Sequence, residues 1–387
     1  MVQMVRIRTQ SGPAKKTTDI CGSLLHCGPT LSDIQQRGAA DFFTLCFTLW
    51  RSSDLATPAM HPSRRRFLTH AGKALGGLAL IQAVPGWTFA TRSPSADLVH
   101  RSTETMGTTI RLSLLKEEFS AAAASGPLLR LKEVNDLLTV HDSSSALMRM
   151  NNGHRVTVKE LADVTRSALQ FGERSEGAMD VTVLPAMRRL GFLPGATMKG
   201  SIDFRQIALD GDTVSIRSGD MGVDFGGIAK GYGVDQAITL TRAAGVSAAL
   251  IDAGGDLFAL GRPEADRRWM IGIRHPERAG DLVATLELED EAVATSGTYL
   301  HKRTVGGRSV SHIIDPRTGT SVDHVVSATI VAGDTMTADA LATSVSVTSR
   351  SQGQALIASQ EGVEGFLIYK DGTTFTSAGL ERRLRIL

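Results

Sequence analysis

A short block of basic and apolar residues in the first quarter of the chain limits how much of its 387 residues can form a folded domain. The block begins at Met60 with the letters MHPSRRRFL, continues as a mostly apolar run over residues 74–84, and ends in small residues up to Ala90. A basic start, a short apolar run and a small-residue cleavage site are typical of an export signal. The apolar run has about half of the roughly 20 residues that a transmembrane helix needs. The alternative interpretation is a basic segment that leads into a buried helix.

The arginines of this block match the twin-arginine pattern, because Arg64-Arg65 is followed by one variable residue and then by Phe67-Leu68. We therefore expect the Tat translocon to export the protein, already folded, to the periplasm. Because a signal should stand at the start of a chain, we take Met60 as the initiator. The predicted organisation is thus an unnatural or disordered extension over residues 1–59, a signal peptide over 60–90 and one functional domain over 91–387.

The cysteines and the charge balance exclude several classes of function. Cys21, Cys27 and Cys46 all precede the predicted signal, so the mature chain would have no disulfide, no catalytic thiolate and no cysteine-based metal site. The 42 Lys and Arg residues are balanced by 40 Asp and Glu, whereas binding to duplex nucleic acid needs a concentrated basic face. We expect small molecules and proteins as partners, and no nucleic acid.

The pattern of apolar residues after residue 97 predicts an α+β fold. Paired strands are predicted over 101–115, on either side of Met106-Gly107-Thr108. Helices are predicted over 128–139, 158–174, 229–245 and 337–345, and strands over 207–216, 248–260, 269–274, 282–288, 292–295, 309–314 and 325–331. Because these elements do not alternate regularly, α+β is favoured over a doubly wound parallel sheet.

The first segment whose residues suit binding or catalysis has the letters VDFGGIAKGYG over residues 223–233. Its glycines lie between a short apolar strand and a helix, where free backbone N–H groups and the positive end of the helix dipole suit a phosphate. Lys230, in the first turn, would add a point charge. The alternative is a glycine turn followed by a solvated lysine.

A second glycine pair, Gly254-Gly255, ends a predicted strand and lies between Asp252 and Asp256. Paired glycines allow a ligand or another backbone segment to approach closely. An ordinary hairpin turn explains the pattern equally well.

The third segment places His312 just before an Asp-Pro-Arg-Thr-Gly turn. Proline and glycine favour such a turn, because proline fixes φ and glycine allows positive φ. Histidine is the side chain best suited to proton transfer near neutral pH. A structural role for a strand histidine is the alternative.

The fourth segment places Asp339 and Thr343 one turn apart on one face of a predicted helix. A carboxylate and other oxygens are the ligands that Mg²⁺ prefers. The alternative is that Thr337 caps the helix and Asp339 interacts with the helix dipole.

In this order the segments resemble the ApbE family, the FAD:protein FMN transferases, over essentially the whole chain from about residue 100. The matching segments are Met106-Gly107-Thr108, 177–183 (GAMDVTV), 224–232 (DFGGIAKGY), 253–256 (AGGD), Ser296-Gly297, 312–319 (HIIDPRTG) and 338–343 (ADALAT). The resemblance implies an α+β flavin transferase fold. It also implies transfer of FMN from FAD, with Mg²⁺, to a Thr or Ser of an acceptor protein through a phosphoester bond, with release of AMP.

The resemblance also implies roles for single residues. The FAD-contacting residues would be Met106, Ala178, Met179, Asp180, Asp224, Lys230 and Ile313. The metal would be held by the main-chain carbonyl of Gly227 with Asp339 and Thr343, and His312 would be the general base. The chain departs from the family pattern at Asp252, Ser311 and Thr298, where Asn, His and Asp are frequent.

Two other functions are compatible with the same residues. If water replaced the acceptor hydroxyl, the protein would be a Mg²⁺-dependent FAD pyrophosphatase that yields FMN and AMP. A periplasmic flavin-binding protein without turnover is the third hypothesis, in which Asp339 and His312 would be structural.

Overall fold

A computed structural model describes residues 97–387 of the chain. The predicted extension and the predicted signal peptide, including Arg64 and Arg65, lie outside the described residues. In the described part, the helices are α1 Ala121–Leu138, α2 Ala146–Asn151, α3 Lys159–Arg174, α4 Leu184–Arg189, α5 Ala229–Ala243, α6 Thr335–Val347 and α7 Arg350–Ala358.

The strands are numbered β1 to β18 in chain order. They are β1 Leu98–Thr105, β2 Thr108–Leu115, β3 Val156–Thr157, β4 Ile207–Asp210, β5 Thr213–Ile216, β6 Ala249–Ala253, β7 Asp256–Leu260, β8 Trp269–Arg274, β9 Leu282–Leu288, β10 Glu291–Gly297, β11 Lys302–Val305, β12 Arg308–Ser311, β13 Ile314–Asp315, β14 Thr320–Ser321, β15 Val325–Ala332, β16 Glu364–Tyr369, β17 Thr374–Thr376 and β18 Leu384–Ile386.

The central element is an eight-stranded sheet with the order β1-β2-β6-β7-β10-β15-β16-β17, and each neighbouring pair is antiparallel. The described residues also form two three-stranded sheets, β18-β9-β8 and β3-β5-β4, and the two-stranded pairs β11-β12 and β13-β14. The tight turn between β1 and β2 contains Met106 and Gly107, which both have positive φ, 54° and 72°. Two positive φ angles are the geometry of a two-residue hairpin turn that follows strand twist.

Both faces of the central sheet are covered, so its middle strands are apolar at nearly every position. Along β6, Ala249, Ile251 and Ala253 belong to the core on the helical side, where Leu131 and Val134 of α1 also lie. Leu250 of the same strand points to the opposite face and packs in a second core. There it joins the side chains of β8 and β9. The sheet therefore lies between a layer of helices and a small second sheet.

The predicted α+β class is confirmed, and most predicted elements are present with small differences at their ends. The predicted helix over 128–139 is α1, which begins at Ala121 because Ser120 caps it by accepting a hydrogen bond from the N–H of Ala123. The predicted strand over 309–314 is interrupted at His312, where β12 ends and β13 has not begun. This interruption frees His312 from the strand ladder.

No helix among residues 97–387 is both long and apolar enough to cross a membrane.

Candidate functional site

The site is built around Lys230, at the start of α5, and Asp339, in the second turn of α6. The Nζ atom of Lys230 lies 3.7 Å from Oδ2 of Asp339, and the backbone N–H of Gly231 donates a hydrogen bond to the same oxygen at 3.1 Å. Asp339 is 2% exposed, so its carboxylate is almost completely removed from water. The first turn of α5 thus supplies both a side-chain cation and a main-chain donor to one buried carboxylate.

Gly231 is required for this approach because the two helices nearly touch there. A Cβ atom on Gly231 would lie 2.7 Å from the Cα of Met336 and would also collide with the carbonyl oxygen of Thr335. Asp235 holds the same junction from α5, because its carboxylate accepts hydrogen bonds from the N–H groups of Thr335 and Met336 at 2.7 and 2.9 Å. Burial raises the pKa of Asp235 to about 6.

We expect Gly231→Ala to lower stability by about 1–3 kcal/mol, because the added methyl group forces the two helices apart. The matched control is Gly126→Ala on α1, where a Cβ would meet no atom within 4 Å. That substitution should leave stability unchanged or raise it by up to about 1 kcal/mol, since alanine is the better helix former. Thermal unfolding of the two variants measures the difference. Equal melting temperatures would contradict the assignment of Gly231 to a tight helix crossing.

Thr343 follows Asp339 by one helical turn and faces the glycine loop before α5. A Cβ atom on Gly227 would lie 3.0 Å from Oγ1 of Thr343, and Oγ of Ser296 at the end of β10 lies 3.5 Å from the same hydroxyl. The structure therefore brings together the three predicted metal ligands Gly227, Asp339 and Thr343. No group of three or more His, Cys, Asp or Glu side chains that could hold a metal occurs within residues 97–387.

Asp256, the first residue of β7, provides a second carboxylate that pairs with Lys230. Its Oδ2 atom lies 2.6 Å from Nζ of Lys230, and the residue is 4% exposed. Burial alone would lower the pKa of Lys230, but the charges of Asp256 and Asp339 outweigh it and raise that pKa above its ordinary value. Burial, and then the charge of Asp256, raise the pKa of Asp339 to about 7, although Lys230 opposes this. One partly buried ammonium group, 27% exposed, is thus shared by two carboxylates.

The Gly254-Gly255 turn lies next to these acids and against the β1–β2 turn. Gly254 has a φ of +70°, and a Cβ atom there would lie 2.9 Å from the Cβ of Thr108. Asp252 accepts a hydrogen bond from the N–H of Gly255 at 2.8 Å, and burial followed by the charge of Asp256 raises the pKa of Asp252 to about 7. The glycine pair is a hairpin turn, and it also permits a close backbone approach.

Met106, in the β1–β2 turn, contacts α1 and α5. Its backbone N–H donates to Oδ1 of Asn135 at 3.2 Å, and a Cβ atom on Gly233 would lie 3.3 Å from its sulfur. The side chain of Met106 therefore lies against α5 at Gly233, which is three residues after Lys230.

His312 occupies the gap between β12 and β13. Its backbone N–H donates to the carbonyl oxygen of His301 at 3.1 Å, and the two imidazoles meet edge to face with ring centroids 5.1 Å apart. The ring of Phe192 lies 6.4 Å away on another edge, and the Nδ1 atom of His312 is buried without a hydrogen-bond partner. Burial, His301 and the charge of Lys230 lower the pKa of His312 to about 4. The imidazole is therefore neutral at neutral pH and can accept a proton.

The turn after His312 is fastened to the end of α6. Arg317 donates to both carboxylate oxygens of Asp315, from Nε at 2.8 Å and from Nη2 at 2.9 Å. Nη2 also donates to the carbonyl oxygen of Val347, the last residue of α6, at 2.8 Å. The same helix thus presents Asp339 and Thr343 and anchors the segment that contains His312.

The remaining predicted FAD contacts lie in different surroundings. Ala178 and Ile313 pack together with Val347 in a small cluster of buried side chains. Met179 belongs to the large core. The carboxylate of Asp180 is engaged within the protein, because it accepts hydrogen bonds from the N–H groups of Thr182 and Phe204 at 2.8 and 3.0 Å.

Asp224 joins these residues to the glycine loop. Its backbone N–H donates to the carbonyl oxygen of Val181 at 2.8 Å. Burial raises the pKa of Asp224, whereas its hydrogen bond from Gly226 and the charges of His141 and Lys230 lower it. The charge of Lys230 lowers the pKa of both Asp224 and His312.

Sequence reasoning missed two members of this site, Asp256 and His301. Asp256 was recognisable, because it follows the glycine pair at the start of a strand, but its pairing with Lys230 depends on the order of strands in the sheet. No sequence signal distinguished His301, since its contact with His312 arises from the return of the β11–β12 hairpin.

Comparisons with known proteins show what the chain is similar to. The sequence model of the ApbE family matches residues 106–367. The FAD:protein FMN transferase of Salmonella typhimurium is 29% identical over 309 residues, which are 74% of this chain and 87% of that protein. The crystal structure of the ApbE protein from Thermotoga maritima has a TM-score of 0.68 at 26% identity and covers 74% of this chain and 99% of that chain. The structure of the flavin transferase ApbE from Vibrio cholerae has a TM-score of 0.65 at 30% identity and covers 75% of this chain and 100% of that chain.

Proposed function

Because the chain belongs to the ApbE family, we propose that it transfers FMN from FAD to a Thr or Ser hydroxyl of an acceptor protein. The relatives from Salmonella typhimurium and Vibrio cholerae are named for this transfer. We propose in addition that the product is a phosphoester, that AMP is the leaving group and that the reaction requires Mg²⁺.

The observation that supports the proposal most strongly is the convergence on Lys230. The partly buried ammonium group of Lys230 and the N–H of Gly231 lie together in the N-terminal turn of α5, and the charge of Lys230 helps to keep His312 neutral. Transfer between phosphates needs positioning and charge neutralisation more than covalent chemistry by the protein. A cation, main-chain donors and a base are the groups that such a transfer uses.

The oxygen atoms near Lys230 fit a Mg²⁺ ion. Asp339, the hydroxyl of Thr343 and the carbonyl of Gly227 are hard oxygen donors, and the absence of a side chain on Gly227 leaves room beside Thr343. A Mg²⁺ ion bound by these groups would supply positive charge against the diphosphate of FAD. One carboxylate with few other protein ligands is the usual arrangement for Mg²⁺ that also binds substrate phosphates.

The residues of this chain have separable roles in the proposed transfer. Lys230 and the start of α5 bind the diphosphate. His312 accepts the hydroxyl proton of the acceptor at Nε2, because Nδ1 is enclosed by the protein. The acceptor oxygen forms a bond to the phosphorus of the FMN half, the bond from that phosphorus to the bridging oxygen breaks, and AMP leaves with the bridging oxygen. His312 then releases its proton to solvent.

The pH dependence of the transfer should report the low pKa of His312. A protonated His312 cannot act as a base, so kcat/KM should rise with pH through this pKa and reach a plateau above it. Because the pKa is lowered to about 4, the midpoint should lie below the ordinary value of about 6.5. Transfer rates measured at several FAD concentrations over a range of pH give the midpoint. Mg²⁺ is kept saturating, because a bound metal keeps Asp339 ionised. A midpoint at or above the ordinary value would show that another group controls the rate.

One incubation separates the proposed transfer from its two alternatives. Purified protein is incubated with FAD, Mg²⁺ and a candidate acceptor, and the products are separated by mass spectrometry and chromatography. An acceptor heavier by FMN supports the transfer. Free FMN and AMP without labelled acceptor would identify a pyrophosphatase, and unchanged FAD would identify a binding protein.

We also propose that the protein functions in the periplasm after export by the Tat translocon, which rests on the twin arginines at Arg64 and Arg65. Replacing both with lysine should leave folded precursor in the cytoplasm. The exported wild-type protein should begin near Thr91. Undiminished export of the double variant, measured by cell fractionation, would contradict the proposal.

A further inference from the structure

Two segments beside His312 have several basic residues and no acidic residue. The first segment is residues 184–200, which includes α4, and the second is residues 298–311, which includes the β11–β12 hairpin. We call their cations the basic rim, which consists of Arg188, Arg189, Lys199, Lys302, Arg303 and Arg308. Such a local excess contrasts with the nearly balanced charge of the whole chain, which is +2.

The two segments contact each other at Arg303. The guanidinium group of Arg303 lies over the ring of Phe192, 5.9 Å from its centroid. A Cβ atom on Gly191 would lie 3.5 Å from Nη1 of Arg303. Phe192 in turn lies against His312, and Lys302 is paired with Ser311 across the hairpin. Arg303 and Lys302 therefore each contact a residue next to His312, Arg303 through Phe192 and Lys302 through Ser311.

The cations of the basic rim have no acidic partner among the described residues, although cations elsewhere on the surface often do. Arg188 and Arg189 donate to the carbonyl oxygens of Pro194 and Gly319 at 2.8 Å, which leaves their charges uncompensated. None of the six makes an ion pair within residues 97–387. By contrast, the exposed Lys370 is paired with Asp323. A surface with uncompensated charge is suited to an oppositely charged partner.

We propose that the basic rim docks an acidic segment of the acceptor protein, next to the hydroxyl that receives FMN. This inference rests on the proposed function, because the hydroxyl must reach His312 and its flanking residues must then cross the surrounding surface. The β11–β12 hairpin is the main contact, since the side chains of Lys302, Arg303 and Arg308 are exposed. Complementary charge at the edge of a site increases the rate of encounter and selects among partners.

Binding of matched peptides tests the docking directly, without requiring turnover. The probe is a fluorescent peptide with a central threonine between two runs of glutamate, and the comparison peptide has glutamine in place of every glutamate. Three exposed ion pairs should strengthen binding of the acidic peptide by about tenfold at low salt. This preference should fall as salt is added, because exposed charges are screened. Fluorescence anisotropy with the FAD-loaded protein measures both effects.

A matched pair of variants locates the effect on the surface. The rim variant combines Lys302→Gln, Arg303→Gln and Arg308→Gln, and it should lose the preference for the acidic peptide. The control variant combines Lys116→Gln, Lys159→Gln and Lys370→Gln, which removes the same charge from exposed lysines elsewhere. The control should keep the preference, and both variants should bind FAD as the wild type does.

The following results would contradict the docking of an acidic segment on the basic rim. Equal binding of the two peptides by the wild type, or loss of the preference in the control variant as well, would overturn it. Binding of phosphatidylglycerol vesicles that depends on the rim, without discrimination between the peptides, would assign the basic rim to a membrane surface and also overturn it. The proposed function is tested separately by FMN transfer: the docking inference can fail while transfer proceeds, and transfer can fail while the acidic peptide still binds the rim.

Discussion

Asp339→Asn should reduce Mg²⁺-dependent FMN transfer by about 10²-fold or more, because the substitution keeps the size of the side chain and removes its negative charge. Asp339 is the only carboxylate in the proposed ligand set, and a bound metal contributes several kcal/mol to the stabilisation of transition-state charge. The variant should also show little stimulation when Mg²⁺ is added. Rates measured over a range of Mg²⁺ concentrations, with FAD saturating, give both values.

The matched control for this variant is Asp334→Asn on the same helix. Asp334 caps α6 by accepting a hydrogen bond from the N–H of Thr337 at 2.7 Å, and asparagine is an equally good cap. The control should therefore keep wild-type activity and metal dependence. If Asp339→Asn behaved in the same way, Asp339 would be a structural residue of the helix start, which is the alternative that the sequence left open.

His312→Ala should lower the transfer rate by about 10²–10⁴-fold, which is the usual contribution of a general base. The affinity for FAD should change little, since the proposed base acts on the acceptor hydroxyl and not on the diphosphate. Single-turnover rates at saturating FAD, together with flavin fluorescence titrations, separate the two effects.

His301→Ala is the control for the loss of ring packing. This substitution removes the edge-to-face neighbour of His312, an interaction worth about 0.5–1.5 kcal/mol, and should cost about tenfold at most. A collapse of FAD affinity in His312→Ala, with a normal rate at saturation, would identify His312 as a binding or packing residue.

Local signals were sufficient to predict much of this fold. The glycine between two alternating runs marked the β1–β2 hairpin, and the observed positive φ angles at Met106 and Gly107 are of the kind that glycine favours. The resemblance to the ApbE family, which depends on short motifs spread over the chain, is confirmed by the family match over residues 106–367.

The order of strands could not be predicted, because it depends on contacts between distant parts of the chain. β10 pairs with β15 on one side and with β7 on the other, and no local pattern specifies these neighbours. For the same reason the sequence identified Lys230 and Asp339 but not Asp256, which reaches Lys230 only through the position of β7 in the sheet. The interruption of the strand at His312 was also missed, because Val310 and Ile314 on either side of it continue an alternating strand pattern.

The antiparallel order of the central sheet has a consequence for how the molecule folds. Ile110 pairs with Ala253, and Lys230 meets Asp339, so both contacts join residues that lie far apart in the chain. Chains dominated by such distant pairings fold slowly, because long loops must close before their contacts form. During synthesis Lys230 is made before Asp339. A chain truncated before α6 lacks Asp339 and therefore cannot form this contact. Flavin binding should therefore appear late in refolding, and it can serve as a spectroscopic marker for molecules that have completed the sheet.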